Sequence, residues 1–423
     1  MSARPLALLL VMGLAACTIP ARLAEVGRAP DLAPIENPTL RPGYRPVSLP
    51  MPDPEPRVSA GVNSLWREGA RGFFRDQRAR RVGDVLTVNV TIQDRAVLAN
   101  QSSRSRKNAD GPLSAARGNY WLARAHEALG STSEANRYYE EAAQRIDTFH
   151  GALARQKLSP GPQGVPIPLP AMPSASVVEA FSSNPMLRAA MLAHHAGVER
   201  GITRTIVAHL RNRLASEAEV ALLAHLASSL GDNQMALRVG KTGVARNMNL
   251  FAYAYPVHPF PDYKPLRKSP ERALLLAIAR QESEFNPEII SHAGARGLLQ
   301  VMPITARHIC RDYKIKCDIP RLTTDTSYNA MISSAYVADR KEEFSGSYVL
   351  TLAGYNAGPG RARQWMKRFG DPRKEGVDPI DWIEMIPFEE TRDYVKKVLS
   401  NVQMYRARLG DPTPVRLVSD LKR

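Results

Sequence analysis

Arg280-Gln281-Glu282-Ser283-Glu284-Phe285-Asn286-Pro287 is the stretch on which the reading of the fold turns. Upstream, Pro270 is suited to open a helix, since its missing N–H has no partner to lose there. That helix is predicted from Glu271 to about Ser283. Along it Leu274, Ile278 and Glu282 fall at i, i+4 and i+8, and Leu275 joins Ile278 at i+3, so they share one face. Glu284 falls on the opposite side and is predicted to be solvated. A carboxylate thus ends an otherwise apolar stripe. Burial there raises a carboxyl pKa, which keeps the group protonated near neutral pH and able to act as an acid. By periodicity alone the same Glu reads as a frayed helix end. The downstream chain reverses that reading.

Three more blocks stand in order after Pro287. Ser291-His292-Ala293-Gly294-Ala295-Arg296-Gly297-Leu298-Leu299-Gln300-Val301-Met302-Pro303 comes first. Gly354-Tyr355-Asn356-Ala357-Gly358-Pro359-Gly360 is next, then Ile386-Pro387-Phe388-Glu389-Glu390-Thr391-Arg392-Asp393-Tyr394. With the Glu282 block they resemble the catalytic domain of the soluble lytic transglycosylases, from about Glu271 to Leu409. Leu299 stands where that family often has Met, and Gly354 where it often has Ala. The resemblance implies a lysozyme-like, all-α catalytic domain over 265–410 and an α-helical superhelical scaffold, shortened at its start, over 113–250. It implies a peptidoglycan-cleaving enzyme with Glu282 as its single acid/base and with no metal or cofactor. Ser283 would lie beside Glu282 and contact the substrate with it, while Ser291, Gln300, Met302, Tyr355 and Asn356 would line the saccharide groove. Glu390 and Tyr394 would close it. The residue types suit this task, because amides and hydroxyls bond sugar hydroxyls while Tyr and Met cover apolar ring faces.

The family's reaction makes one carboxyl serve twice. Glu282 would protonate the oxygen between MurNAc and GlcNAc, then take the proton from the C6 hydroxyl as it closes onto C1. A lysozyme-like hydrolase on the same fold is the competing enzyme. Asp325, Asp339 and Asp381 are the candidates for its second carboxylate, and all three read as solvated loop or helix positions.

The N-terminus carries different signals. Arg4 and the apolar run Leu6 to Leu14 read as an export signal, too short to span a bilayer. Leu14-Ala15-Ala16-Cys17 resembles a lipobox, which makes residues 1–17 a lipoprotein signal peptide and Cys17 the lipidated residue; a chance Cys is the alternative. Thr18 at the next position favours the outer membrane by analogy with other lipoproteins. Proline recurs from Pro20 to Pro56, a solvated tether over 18–60. Leu86, Val88, Val90 and Ile92 alternate with polar residues, the period of a half-buried strand. The stretch from Asn63-Ser64-Leu65-Trp66 through Phe73-Phe74-Arg75-Asp76 to Ser103-Arg104-Ser105-Arg106 resembles the N-terminal part of the flagellar L-ring protein, an outer-membrane lipoprotein. That family continues into a larger β-structure missing here, so the fragment over 61–107 is not expected to build a ring subunit. A structural part of the flagellar basal body is nevertheless a third reading, and an enzyme tethered near the ring combines the two.

Bulk properties agree with this partition. A chain of 423 residues is long for one core. Its formal net charge of +16 calls for an anionic partner. Acidic lipid and the carboxylate-bearing peptides of peptidoglycan remain once export removes nucleic acid. With Cys17 assigned, Cys310 and Cys317 are left, as a short-loop disulfide or as free thiols. Helices are predicted over 115–129, 184–196, 202–214, 217–230 and 234–244, with Gly130 stopping the first. The fold class is therefore mainly α, a superhelical scaffold plus a lysozyme-like domain, with a short N-terminal β-containing fragment.

Overall fold

The computed structural model describes residues 112–423, apart from 162, 163, 166, 168, 169, 171, 198 and 199. The export signal, Cys17, the tether, the L-ring-like stretch and the strand expected over 86–92 lie outside the described residues.

Among the described residues the architecture is helical, with only isolated bridges at Ile290, Arg296 and Val301. Helices α1 (Pro112–Ala128) and α2 (Thr132–Ala143) pack as a hairpin. They turn at Gly130, whose φ of 77° suits glycine at a helix stop. Helix α3 (Phe149–Leu158) is capped by the Thr148 hydroxyl, which accepts from the Gly151 N–H at 3.0 Å. Helices α4 (Ala175–Ser183), α5 (Pro185–His195) and α6 (Arg200–Arg213) come next. Sequence patterning points to neither α3 nor α4: α3 is buried on nearly every side, and α4 comes directly after the Pro-rich stretch. Helix α7 (Glu217–Ser229) opens on a capping box between Ser216 and Glu219. Helix α8 (Asn233–Ala245) opens on Asp232, which accepts from the Met235 N–H. The short α9 (Phe251–Ala254) leads onward.

Helix α10 (Arg272–Glu282) is central to the second half. Seven consecutive residues, Ala273 to Ala279, are buried. The predicted stripe is thus a full apolar cylinder, the pattern of a helix enclosed on all sides. Each buried leucine contributes roughly 1.5–3 kcal/mol. Around it come α11 (Pro303–Asp312), α12 (Arg321–Thr324), α13 (Thr326–Glu343), α14 (Tyr348–Ala357), α15 (Pro359–Phe369), α16 (Pro379–Glu384), α17 (Glu389–Arg408) and α18 (Leu417–Leu421). Helix α17 packs against α10 and α14. Arg406 on α17, 2% exposed, bonds Asp420 at 2.5 Å and Glu271 at 2.7 Å, tying α18 to the start of α10. A single apolar core runs from Tyr120 to Leu421. Polar ties also join the early helices to the later ones. Arg124 reaches Asp378 and Asp381 at 3.1 and 3.2 Å, Arg117 reaches Glu384 at 3.0 Å, and the Gln156 amide donates to the Val415 carbonyl.

A second, smaller cluster of Val301, Ala306, Ile309, Cys310, Leu322, Tyr328, Ile332 and Ala335 underlies the loop between α10 and α11. Cys310 and Cys317 meet here as free thiols, so the disulfide alternative is not what the structure holds. Burial pushes the Cys310 thiol up to about 11, with a hydrogen bond to Cys317 acting the same way.

Gly297 fixes the loop against this cluster. Its φ is 75°, and a Cβ there would stand 1.9 Å from the Leu322 carbonyl oxygen and 2.4 Å from Asn329 Nδ2. Gly294, with φ of 87°, has open space around its Cβ position. Gly297→Ala should therefore cost roughly 3 kcal/mol, backbone strain plus overpacking. Gly294→Ala should cost only the strain, about 1 kcal/mol. Urea denaturation midpoints of the two variants measure the difference; equal losses would refute the close-packing account.

Candidate active site

Glu282 ends α10, and Ser283 is its C-cap. The residue as a whole is half-buried, whereas its carboxyl lies deep enough for burial to dominate its chemistry. Burial pushes the carboxyl up to about 7, the Tyr394 hydroxyl lowers it, and the charge of Glu390 raises it. Tyr394 is 4% exposed, and its buried hydroxyl has no hydrogen bond of ordinary geometry although it faces Glu282. It is free to tighten onto the carboxylate when that forms. Tyr355 of α14 also feels the Glu282 charge, and burial followed by that charge holds its phenol well above the usual range. Its hydroxyl donates to the Leu299 carbonyl at 2.6 Å, and its ring leans on Tyr336 at 5.4 Å. Sequence reasoning misses Tyr336, because it lies on α13 outside the four blocks.

The predicted site residues divide by what their polar atoms do. Glu282, Tyr355, Tyr394 and Glu390 are brought together. Glu390 sits exposed in the first turn of α17. Asn356 accepts from the Thr391 hydroxyl at 2.6 Å through Oδ1, which leaves its amide N–H groups to donate. Met302 is 37% exposed at the N-cap of α11 and presents an apolar side chain at the surface. The Ser291 oxygen accepts from the Ala295 N–H at 3.0 Å, so its own proton stays available.

Two residues differ from expectation. Ser283 is 2% exposed, and its hydroxyl donates to the Leu298 carbonyl at 2.6 Å. Its hydroxyl proton is used within the protein, tying α10 to the 291–303 loop. Gln300 adopts φ of 51° and donates through its amide to the carbonyls of Ile289 and Gly297 at 3.1 and 2.8 Å. Only its Oε1 is left for a ligand. Asn329, also unforeseen, completes the loop from beneath, accepting from the Leu299 N–H and donating to the carbonyls of Arg296 and Leu322.

Glu284 is not solvated as predicted. It accepts from Arg238 at 2.6 Å and Lys241 at 2.8 Å, both on α8. Gln234 of the same helix donates to the Ser283 carbonyl at 3.2 Å. Gln234, Arg238 and Lys241 stand at i, i+4 and i+7, so one face of α8 grips the turn after Glu282. That turn is strained: Glu284 and Phe285 have φ of 52° and 63°. The candidate second carboxylates of a hydrolase are engaged elsewhere. Asp325 caps α13, Asp339 pairs with Arg267, and Asp381 pairs with Arg124. At Gly354 an added Cβ would meet the Phe344 ring edge at 2.8 Å, which accounts for glycine where Ala is usual.

Fold and site together define an all-α, lysozyme-like domain in which burial pushes the Glu282 carboxyl up to about 7. Residues 262–377 match the transglycosylase SLT domain, 385–413 match the soluble lytic transglycosylase helical domain, and 59–157 match the flagellar L-ring protein. The chain thus carries an SLT transglycosylase domain and a helical domain of that family, behind an N-terminal L-ring-like segment. The L-ring match extends past residue 107 into α1 to α3, and the helical-domain match falls on α17. Among curated relatives, the flagellar L-ring protein of Nitrobacter winogradskyi is 57% identical over 104 residues, 24% of this chain and 41% of that protein. The soluble lytic murein transglycosylase of Escherichia coli is 39% identical over 137 residues, 32% of this chain and 21% of that protein. Among solved structures, the 70 kDa soluble lytic transglycosylase of Escherichia coli superposes with a TM-score of 0.58 at 27% identity, covering 72% of this chain and 48% of that one. An inactive Glu-to-Gln mutant of lytic transglycosylase Slt from Pseudomonas aeruginosa gives 0.57 at 30%, covering 71% and 47%. The chain therefore spans less than half the length of each of these proteins.

The electrostatics of Glu282 are open to direct test. Tyr394→Phe removes an interaction that lowers its pKa, so its titration midpoint should rise above about 7. Glu390→Gln removes one that raises it, so the midpoint should fall. Carbon-13 NMR titration of the carboxyl reads both. Shifts of the same sign would contradict this geometry.

Proposed function

We propose that this chain is a peptidoglycan lytic transglycosylase that cuts the MurNAc–GlcNAc β-1,4 bond without water and leaves 1,6-anhydro-MurNAc ends. The observation that carries the reading is the half-buried Glu282 at the end of α10, with its carboxyl pushed up to about 7 between two phenols. Protonated Glu282 gives its proton to the bridging oxygen, and the C1–O bond breaks. The substrate's N-acetyl group holds the positive charge at C1. The Glu282 carboxylate, stabilised by the Tyr394 hydroxyl, then takes the proton of the C6 hydroxyl as O6 bonds C1. The acid ends as it began. Intramolecular closure has a large effective-molarity advantage over attack by water. In a protein of this similarity an inactivating Glu-to-Gln change supports a lone carboxyl acid.

A lysozyme-like hydrolase is the second reading, because the charge of Glu390 reaches Glu282 and a second carboxylate is what such a reaction uses. Mass spectrometry of digested murein separates them. Anhydro ends support the proposal, and reducing MurNAc ends overturn it. Location enters the proposal as well: an exported protein anchored in the outer membrane through Cys17, working at the wall near the flagellar basal body.

Glu282→Gln should abolish cleavage and leave the fold intact. The acid form is lost above its pKa, so kcat/KM of the wild type should fall as pH rises past about 7. Stability supplies an independent check. The folded carboxyl binds its proton up to about 7, while the unfolded one releases it near its ordinary 4.5. The native state therefore holds more protons between these values, and wild-type stability falls as pH rises through that window. Glu282→Gln lacks this loss. Its Tm advantage over the wild type should be absent below pH 4.5, grow up to about pH 7 and then level off. A variant with normal turnover, or with no pH-dependent Tm gain, would refute the assignment of the acid.

A further inference from the structure

Helix α17 brings Glu390 and Tyr394 to the acid, yet its N-terminus has no capping side chain, since Phe388 at the N-cap supplies no hydrogen bond. Its rotation about its own axis is fixed by other contacts. Glu390 and Tyr394 stand at i and i+4 and share one face. Arg392 and Lys396 form a second i, i+4 pair, offset by two residues and so by roughly 200° around the axis. They lie on the nearly opposite face, and both reach toward Glu384, the last residue of α16.

Glu384 is where side chains of three helices converge. Lys396 donates to its Oε1 at 3.1 Å, and Nε2 of His150 on α3 stands 3.8 Å from the same oxygen with no hydrogen bond of its own. Arg117 of α1 donates to Oε2 at 3.0 Å, and Arg392 lies 3.9 Å from it. Burial opposes the charge, yet His150, Lys396 and Arg117 together bring the Glu384 carboxyl down to about 2. It is therefore ionised at every pH where the cleft acid titrates. Lys396 is 6% exposed, and an ammonium so buried has to keep its counter-ion. Its other partner, Asp393 at 3.4 Å, belongs to α17 itself and cannot fix the helix against a neighbour. Arg392 adds a bond to the Ile386 carbonyl at 3.0 Å, in the linker between α16 and α17.

We infer that Glu384 is a positioning residue for the cleavage: by holding one face of α17, it sets the angle at which the other face presents Tyr394 and Glu390 to Glu282. Through Arg117 and His150 the same carboxylate makes α1 and α3, distant in sequence, part of that setting. The inference rests on Glu282 being the acid, as proposed above. It adds that a residue outside the cleft governs how that acid titrates.

Carbon-13 titration of the Glu282 carboxyl in the full chain reads the effect without substrate. The Tyr394 hydroxyl acts on that carboxyl more strongly than the Glu390 charge does, so releasing both in Glu384→Gln should raise its midpoint above about 7. Loss of a negative charge acting through space would lower the midpoint instead, so the sign separates positioning from direct electrostatics. On murein, kcat should fall about tenfold with KM unchanged, the loss expected for one charge-assisted hydrogen bond to the Glu282 carboxylate. Glu384→Asp keeps the charge that Lys396 requires and shortens the reach by one methylene. Its midpoint should also rise, by less, and it carries the test if the Gln variant does not fold. In a Tyr394→Phe background Glu384→Gln should give no further rise, because its route to Glu282 is gone. An unchanged or lowered midpoint alongside a lower Tm, or an equal rise in the Tyr394→Phe background, overturns the inference. A chain that shows these shifts and cuts no murein would refute the transglycosylase reading and leave the positioning standing.

Discussion

The cost of ionising one carboxyl at the end of a helix buried along most of its length governs the site. Helix α10 is buried on every side from Ala273 to Ala279, and at its last residue burial is the largest cause raising the carboxyl pKa. Two further effects act in the same direction as burial. The charge of Glu390 opposes a second negative charge nearby. The C-terminal end of a helix also carries partial negative charge, which disfavours an anion in the last turn. Against them stands the Tyr394 hydroxyl, which lowers the pKa, and the balance lies at about 7. A group balanced at that value can give a proton and take one back at neutral pH with little free-energy penalty either way. The dense packing of α17 on α10 is what holds both partners at that distance from the carboxyl.

Such a seat has to be held in position, and the chain after Glu282 does not hold it alone. Two successive non-glycine residues in the left-handed region cost roughly 1–2 kcal/mol each. They turn the chain directly after Ser283, whose hydroxyl meets the Leu298 carbonyl of the returning 291–303 loop. The opposing stabilisation comes from outside the catalytic segment. Arg238 and Lys241 hold the Glu284 carboxylate, and Gln234 holds the Ser283 carbonyl and receives the Asn286 amide at 3.4 Å. The helices preceding α10 therefore act on the acid's immediate backbone and are not merely attached to it.

This division explains which features are legible in the sequence. Glu282, Tyr355 and Tyr394 are legible because each sits in a local block whose residue types and order carry the resemblance, and the helix under Glu282 is legible from its periodicity. The direction of a hydroxyl or amide is not. Ser283 and Gln300 look like sugar ligands in sequence, yet their donors go to carbonyls at Leu298, Ile289 and Gly297. Only the folded loop decides that. Glu284 misleads for a related reason: helical periodicity places it away from the α10 stripe, and nothing local reveals α8 on that side. Asn329 and Gln234 carry no signal at all in sequence, since their partners lie about thirty to fifty residues away.

A strongly basic chain and a protonated acid are in tension, because a cation within about 4–6 Å of a carboxyl lowers its pKa by one to three units and would ionise Glu282. No cation acts on Glu282 strongly enough to rank among the causes of its shift. The structure resolves the tension by engaging the nearby cations with other partners. Arg238 and Lys241 are neutralised in part by Glu284, and Arg280 is held to a carbonyl, an amide and the Tyr255 ring. Glu284 thus has two roles that arise from one position. It anchors the strained turn, and it neutralises part of the positive charge of Arg238 and Lys241 near the acid.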